Sequence, residues 1–465
     1  MQLTGPLFLF LLLPLSLLLL RFTPAHYRRN VLSAFSLLWY VLVNLSNPVG
    51  LIHILLLMTV ALLYVYLPTP RSAAMGKLRT VVGVLIPLVS FAGARILAEY
   101  GNTGYVYPIG LAYISLAMIS LAVDLARGDT IRPQNPLNVV GYLLFFPTLV
   151  SGPIIRSKHF FDSTEELHLS TELMSTGIRR YMHGFIKRIA LAAVLMRALR
   201  QLTEGIEYVI SPLLLLLLLV LSYLAFYFFF TGTAEMARGV CAMYGIQVPR
   251  DRGHILAATS PDRVLCGMAL SLYRFMQDYV YRPLCRLMPS KNGHILARVA
   301  IFAASVLFFR TRPEMLLFAL PMLILMALVG HSKRPRLWVR LLLIPVVILC
   351  CSVFTLAITM DDPTKIFSLF ARAFTDSTDF HLYELFELVR DFRYLLLTGV
   401  IAVALVPISY LRSWVLRKVS PRFGFAIRYV SLALIFIGFV LTLIYFLPQF
   451  PGYSDQAYGF YQYTR

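Results

Sequence analysis

Apolar runs long enough to enter or cross a bilayer recur along the chain, most of them closed by a short cluster of Arg and Lys. A water-soluble fold has nowhere to hide so much apolar surface, so the pattern fixes the class as an all-α, polytopic integral membrane protein. Composition agrees: of 465 residues, 59% are hydrophobic and 14% charged, well outside the soluble globular range. The net charge of +20 does not point to nucleic acid. Its basic residues fall between the apolar runs, where cytoplasmic loops of membrane proteins carry them, and no aromatic-basic platform interrupts the pattern. Five cysteines, Cys241, Cys266, Cys285, Cys350 and Cys351, lack metal-ligand spacing and read as buried free thiols.

Taken in order, residues 7–20 (LFLFLLLPLSLLLL) have neither the basic start nor the cleavage site of a signal peptide and read as a first membrane helix. Arg21, Arg28 and Arg29 follow it, which puts that loop in the cytoplasm and the N-terminus outside. Runs over 31–45, to Leu67, to Leu97 and from Tyr105 to Leu125 then alternate consistently, turning outside at Ser46-Asn47-Pro48 and at EYGNTG. From Leu137 to Val150 the alternation falters, and a re-entrant segment satisfies the charge rule. Val299–Phe309 is too short for a full span and reads as a second partial insertion. Residues 189–200 lead outward, Pro212–Phe230 return, and later spans end near Thr359, cover Tyr394–Tyr410 and run from Ala426 to Leu447. One domain results, with N-terminal spans in 1–136, a central core in 137–330, C-terminal spans in 331–447 and an extracytoplasmic aromatic tail in 448–465.

Within the core, Phe228–Leu284 is less hydrophobic than its surroundings. Polar chain at membrane depth is tolerated where it lines a cavity or is buried in protein, which marks this stretch as the functional centre. It also carries sequence blocks of a known kind: FTGTAEMARGVCAMYGIQVP from Phe230 and SLYRFMQDYVYRPL from Ser271. Ahead of them come YPIGLAYISLAMISLAVDLARG from Tyr107, FFPTLVSGPIIR from Phe145 and GIRRYMHGFIKRIALA from Gly177.

With these blocks in this order, the chain resembles the bacterial polysaccharide branch of the membrane-bound O-acyltransferase family, which includes alginate O-acetyltransferases and teichoic-acid D-alanylation proteins. The resemblance implies a ring of roughly a dozen membrane helices, with re-entrant segments around a thinned centre. It further implies an acyl donor such as acetyl-CoA or an acyl carrier protein, with no resident cofactor or metal. The implied acceptor is an extracytoplasmic polysaccharide. The implied setting is the bacterial cytoplasmic membrane, with both termini outside. Implied partners are the lipid bilayer, an extracytoplasmic esterase-like acetyltransferase and the polysaccharide synthesis machinery.

The family's catalytic histidine aligns with Phe309 and a second family histidine with Ala269. Loss of a general base removes a factor of ~10² to 10⁴ in rate, so ordinary histidine chemistry at those places is excluded. Other candidates each have two readings. Glu235 stands where the family has an aspartate and is either a desolvated base or the ion-pair partner of Arg238, three residues on. Asp278, Tyr279 and Tyr281 either shape a substrate-binding cytoplasmic funnel or serve structural hydrogen bonds. Arg310 either binds an anion or snorkels to an interface. Tyr461, in the terminal GFYQY, is either an acyl acceptor or an interfacial anchor. His53, His183, His254 and His331 read as hydrogen-bonded residues rather than bases. Three functions follow: an acyltransferase with another base, a catalytically inactive relative acting as scaffold or regulator, and a transporter. The last lacks the paired broken helices of transporter repeats.

Overall fold

Backbone groups at membrane depth must find partners within the chain, and this chain meets that demand with helices. The computed structural model describes residues 3–68, 72–101, 104–149, 152–165, 167–205, 212–248, 258–309, 314–329, 337–360, 365–375 and 421–446. Among them every regular element is helical. A π-turn at Phe8–Leu12 leads into α1 (Leu13–Phe22), followed by α2 (Arg28–Asn44) and α3 (Pro48–Tyr66). Asn47 caps α3 by accepting from the Gly50 N–H at 2.9 Å, with Pro48 in the first turn, so the expected turn has a physical cause. α4 (Ala73–Tyr100) runs for 28 residues.

α5 (Leu111–Arg127) starts later than the run from Tyr105 suggested. Pro108 and the left-handed Gly110, φ 79°, hold the preceding chain out of the helix. A Cβ on Gly110 would come within 2.6 Å of Leu149. The run from Leu137 is broken into α6 (Pro136–Leu143) and α7 (Phe146–Leu149), both buried and neither long enough to span. α8 (Ser157–Glu165) and α9 (Thr171–Ile186) follow; α9 continues through a π segment, Lys187–Ala193, into α10 (Val194–Gly205).

α11 (Pro212–Met243) is the buried axis of the molecule. Then come α12 (Pro261–Met268), α13 (Leu270–Met276), a π-turn at Gln277–Tyr281, α14 (Arg282–Leu287) and α15 (Lys291–Phe309). α16 (Glu314–Val329), α17 (Leu337–Thr359), α18 (Lys365–Thr375) and α19 (Pro421–Leu441) complete the described helices. The expected run Tyr394–Tyr410 and the tail 448–465 lie outside the described residues.

The segment ending at Phe309 belongs to a 19-residue helix, roughly 28 Å long at 1.5 Å per residue, which extends well ahead of the eleven apolar residues; its apolar part, Asn292–Phe308, is one of the shorter apolar helices. The helix's polar first turns disguised it, and neighbours satisfy them: Arg298 pairs with Asp262 at 3.3 Å and His294 meets Tyr281.

Among the described residues four helices are long and apolar enough to cross a bilayer, within Pro48–Tyr66, Ala73–Ala98, Pro212–Met243 and Leu341–Thr359, and shorter apolar helices accompany them. Large apolar side chains such as Leu56, Val89 and Leu341 stand exposed along three of these helices, as a lipid-facing surface requires. The protein is therefore a polytopic helical membrane protein.

α9 and α11 pack most extensively. Gly177 and Gly184 of the one face Gly239 and Gly232 of the other, and a Cβ on Gly184 would lie 2.6 Å from the Gly232 carbonyl oxygen. Only glycine lets the two backbones come this close. α17 lies on another side of α11, where Ser222 Oγ reaches the Ser352 carbonyl at 3.3 Å and Thr355 Oγ1 at 3.2 Å.

Gly184→Ala is expected to destabilise the protein by about 1 to 3 kcal/mol, measured as a lower midpoint of thermal unfolding in detergent. Gly438→Ala, whose added Cβ meets only the flexible tip of Ile186 at 3.2 Å, should unfold at or above the wild-type midpoint. Equal losses from the two would remove the special role given to the seam.

Candidate functional site

Charged and hydroxyl-bearing residues from three separate parts of the chain converge where α5, α8 and the α13–α14 helix meet. α5 is apolar but carries Ser120 and Asp124 on one face, four residues apart, with Arg127 at its end. Asp124 is 4% exposed, and a carboxylate so placed must be fully hydrogen-bonded. It is: Oδ1 accepts from the Tyr279 hydroxyl at 2.7 Å, and Oδ2 accepts from Ser157 Oγ at 2.7 Å and Ser120 Oγ at 3.0 Å. Ser120 Oγ also lies 2.9 Å from the Tyr279 oxygen and accepts from the Ser157 N–H at 3.1 Å. Burial raises the Tyr279 phenol well above its ordinary range, with the Asp124 charge adding to it, so Tyr279 stays a donor.

Asp278, 6% exposed, precedes Tyr279 in the π-turn. Such a turn admits an extra residue and is frequent at functional sites. Its carboxylate is bound by Arg156, which enters just before α8, and by Arg282 one turn on at 2.6 Å. Arg127 donates to the Asp278 carbonyl at 3.3 Å, and Arg156 to the Arg274 carbonyl at 3.2 Å. The guanidinium groups of Arg127 and Arg156 lie 5.5 Å and 5.9 Å from the centre of the Tyr279 ring. Two carboxylates thus sit among the guanidinium groups of three arginines, and the excess is positive. Both carboxylates are already occupied by donors, so the cluster is fitted to hold an anion rather than to remove a proton.

The remaining expected residues go elsewhere. Tyr281 turns to the other side of its helix and meets His294 of α15. Glu235 of α11 is bound by residues of the helix beside it, not by Arg238. His183 Nδ1 lies 2.5 Å from Oε2, and Lys187 Nζ donates to Oε1 at 3.0 Å. With both oxygens engaged, Glu235 is an ion-pair partner in this structure. His53 has both ring nitrogens engaged, Nδ1 with Tyr105 at 2.6 Å and Nε2 with Ser90 at 2.8 Å.

Ala269 stands at the break between α12 and α13. Phe309 ends α15, where the neighbouring Phe308 is buried and its carbonyl accepts from Arg95 at 3.0 Å. An arginine does approach that place, from α4. Arg310, His254, His331 and Tyr461 lie outside the described residues. Of the cysteines, Cys241 and Cys351 are buried as expected, while Cys266, Cys285 and Cys350 are partly exposed. That corrects the reading of all five as buried. Among the described residues no cluster of His, Cys, Asp and Glu is arranged to hold a metal.

Sequence reading missed Asp124, Ser120, Ser157 and Arg156. One signal was available: an aspartate inside an apolar helical run is a functional candidate by default.

Residues 116–356, just over half of the chain, match the sequence profile of MBOAT, the membrane-bound O-acyltransferase family. A Pseudomonas aeruginosa protein named probable alginate O-acetylase AlgI is 26% identical over 199 residues, 40% of this chain and 36% of its own. Its namesake from Azotobacter vinelandii is 26% identical over 304 residues, 59% of this chain and 58% of its own. The teichoic acid D-alanyltransferase of Bacillus subtilis is 26% identical over 178 residues, 37% and 44% of the respective chains. The chain therefore spans 36% to 58% of the length of these relatives.

Asp124→Ala strands three hydroxyls at once and is expected to destabilise the protein by on the order of 3 kcal/mol, against about 1 kcal/mol for Tyr279→Phe. Thermal unfolding of the two variants in detergent checks the ordering, and a Tyr279→Phe loss as large as that of Asp124→Ala would refute Asp124 as the hub.

Proposed function

The chain belongs to the membrane-bound O-acyltransferase family, and on that premise we propose that it passes acyl groups, acetyl first among them, from a cytoplasmic thioester to a polysaccharide outside the membrane. The carrying observation is the pair of relatives: an alginate O-acetylase and a teichoic acid D-alanyltransferase are both named for placing an acyl group on a polymer. The donor in this reading is acetyl-CoA or an acylated carrier protein. Both are phosphate-bearing thioesters, and the arginine excess around Asp278 and Tyr279 suits such an anion. The setting is the bacterial cytoplasmic membrane with both termini outside. Tyr461 of the tail serves as an acyl acceptor there, in company with an extracytoplasmic acetyltransferase and the polysaccharide machinery.

A second reading is favoured by one specific observation. The positions aligned with the family histidines hold Ala269 and Phe309, neither of which can move a proton. A catalytically inactive relative, acting as scaffold or regulator of a polysaccharide-modifying complex, fits that loss.

Membranes carrying the full chain and supplied with labelled acetyl-CoA are expected to transfer label to a polysaccharide fraction, with Tyr461→Phe lowering the transfer about tenfold or more. Wild-type membranes that leave all label on the donor, with coenzyme A and carrier-protein thioesters alike, select the scaffold.

A further inference from the structure

α14 and α15 are joined by a tight turn at Met288–Ser290. Ser290 starts the second helix by accepting the Gly293 N–H on its hydroxyl and the His294 N–H on its carbonyl, both at 3.1 Å. The turn folds the first residues of α15 back on α14, so that Cys285 and His294 meet. Cys285 Sγ lies 3.1 Å from His294 Nδ1, and the Tyr281 hydroxyl lies 3.1 Å from the same nitrogen. With the ring proton on Nε2, the single lone pair of Nδ1 is open to the proton of the Cys285 thiol. A thiol held against the lone pair of an imidazole is the arrangement of an activated nucleophile.

The surroundings match the chemistry. Cys285 is partly exposed, unlike Cys241 and Cys351. Arg282 and Arg286 flank it, three residues before and one after, and Arg282 is 67% exposed. Reactive thiols are found in such electropositive, part-open settings. Arg282 is also the residue that links this turn to Asp278 and the arginine cluster. The density of basic residues places this end of the helix on the cytoplasmic side.

We propose that Cys285, with His294 as its base, is an acyl-accepting nucleophile for an anionic acyl thioester; this rests on the acyl-transfer reading above. The Cys285 thiol proton passes to His294 Nδ1 as sulfur bonds to the acyl carbonyl carbon. The carrier's carbon–sulfur bond breaks, and the departing thiolate takes the proton back from Nδ1. Free carrier thiol and acyl-Cys285 result, and the new thioester keeps the group activated for transfer to a hydroxyl. The pair supplies an imidazole that positions 269 and 309 lack.

The test uses the full-length protein in detergent with labelled acetyl-CoA, acid quenching and peptide mass spectrometry. Acetyl on Cys285, labile to neutral hydroxylamine, is expected in the wild type and in Cys266→Ser, absent in Cys285→Ala, and formed about tenfold or more slowly in His294→Gln. A second measurement serves when the intermediate turns over too fast to collect: iodoacetamide should alkylate Cys285 faster than Cys266, and His294→Gln should remove that difference. Membranes of Cys285→Ala that still pass label to polysaccharide at the wild-type rate overturn the nucleophile and leave the acyltransferase standing. Wild-type membranes that transfer nothing, from a protein with an unreactive Cys285, overturn both.

Discussion

Among the described helices α9 and α11 pack most extensively, along a seam of glycines, and the rest of the structure depends on it. In a bilayer no hydrophobic driving force pulls helix to helix, because lipid tails are as apolar as leucine. What remains is dispersion at short range and polar contacts across the gap. Four glycines at matching two-turn intervals provide the first. Glu235, reaching across to His183 and Lys187, provides the second. The longest described helix is thereby fixed as an axis, and α17 and the short buried helices α7 and α12 find their places against it.

Around this axis the charges are distributed by compensation rather than by exposure. Asp124 gathers three hydroxyls, Asp278 two guanidinium groups, and Arg188 lies 3.5 Å over the ring of Phe229. Each arrangement answers the high cost of a bare charge in apolar surroundings. At the junction of α5, α8 and α14 the guanidinium groups outnumber the carboxylates while remaining partly open, the imbalance on which the proposed anionic donor rests.

Much of this was legible in the sequence wherever the signal was local. Ser46-Asn47-Pro48 announced a turn, the falter after Leu137 announced a departure from simple spans, and Asp278 and Tyr279 stood in a block that carries the family resemblance. The misses share a cause, which is that compensation comes from residues distant in sequence. The apolar run ending at Phe309 looked short on its own because the partners of His294 and Arg298, just ahead of it, lie on other elements. Glu235 was paired with a neighbour on its own helix, whereas its partners lie about fifty residues earlier, at His183 and Lys187. Cys285 looked like any other apolar-run thiol because nothing in the spacing shows that a turn at Ser290 returns an imidazole to it.

The π-turn at Gln277–Tyr281 sets the angular phase between the two halves of one helix. Removing a single residue there would restore ordinary i→i+4 winding. Asp278 and Tyr279 would leave the wide turn in which the one meets Arg156 and the other Asp124, whereas Cys285 and His294, both beyond it, would keep their contact. The surplus residue therefore belongs to the arginine junction, and a length change at that point uncouples the two chemistries rather than disengaging both.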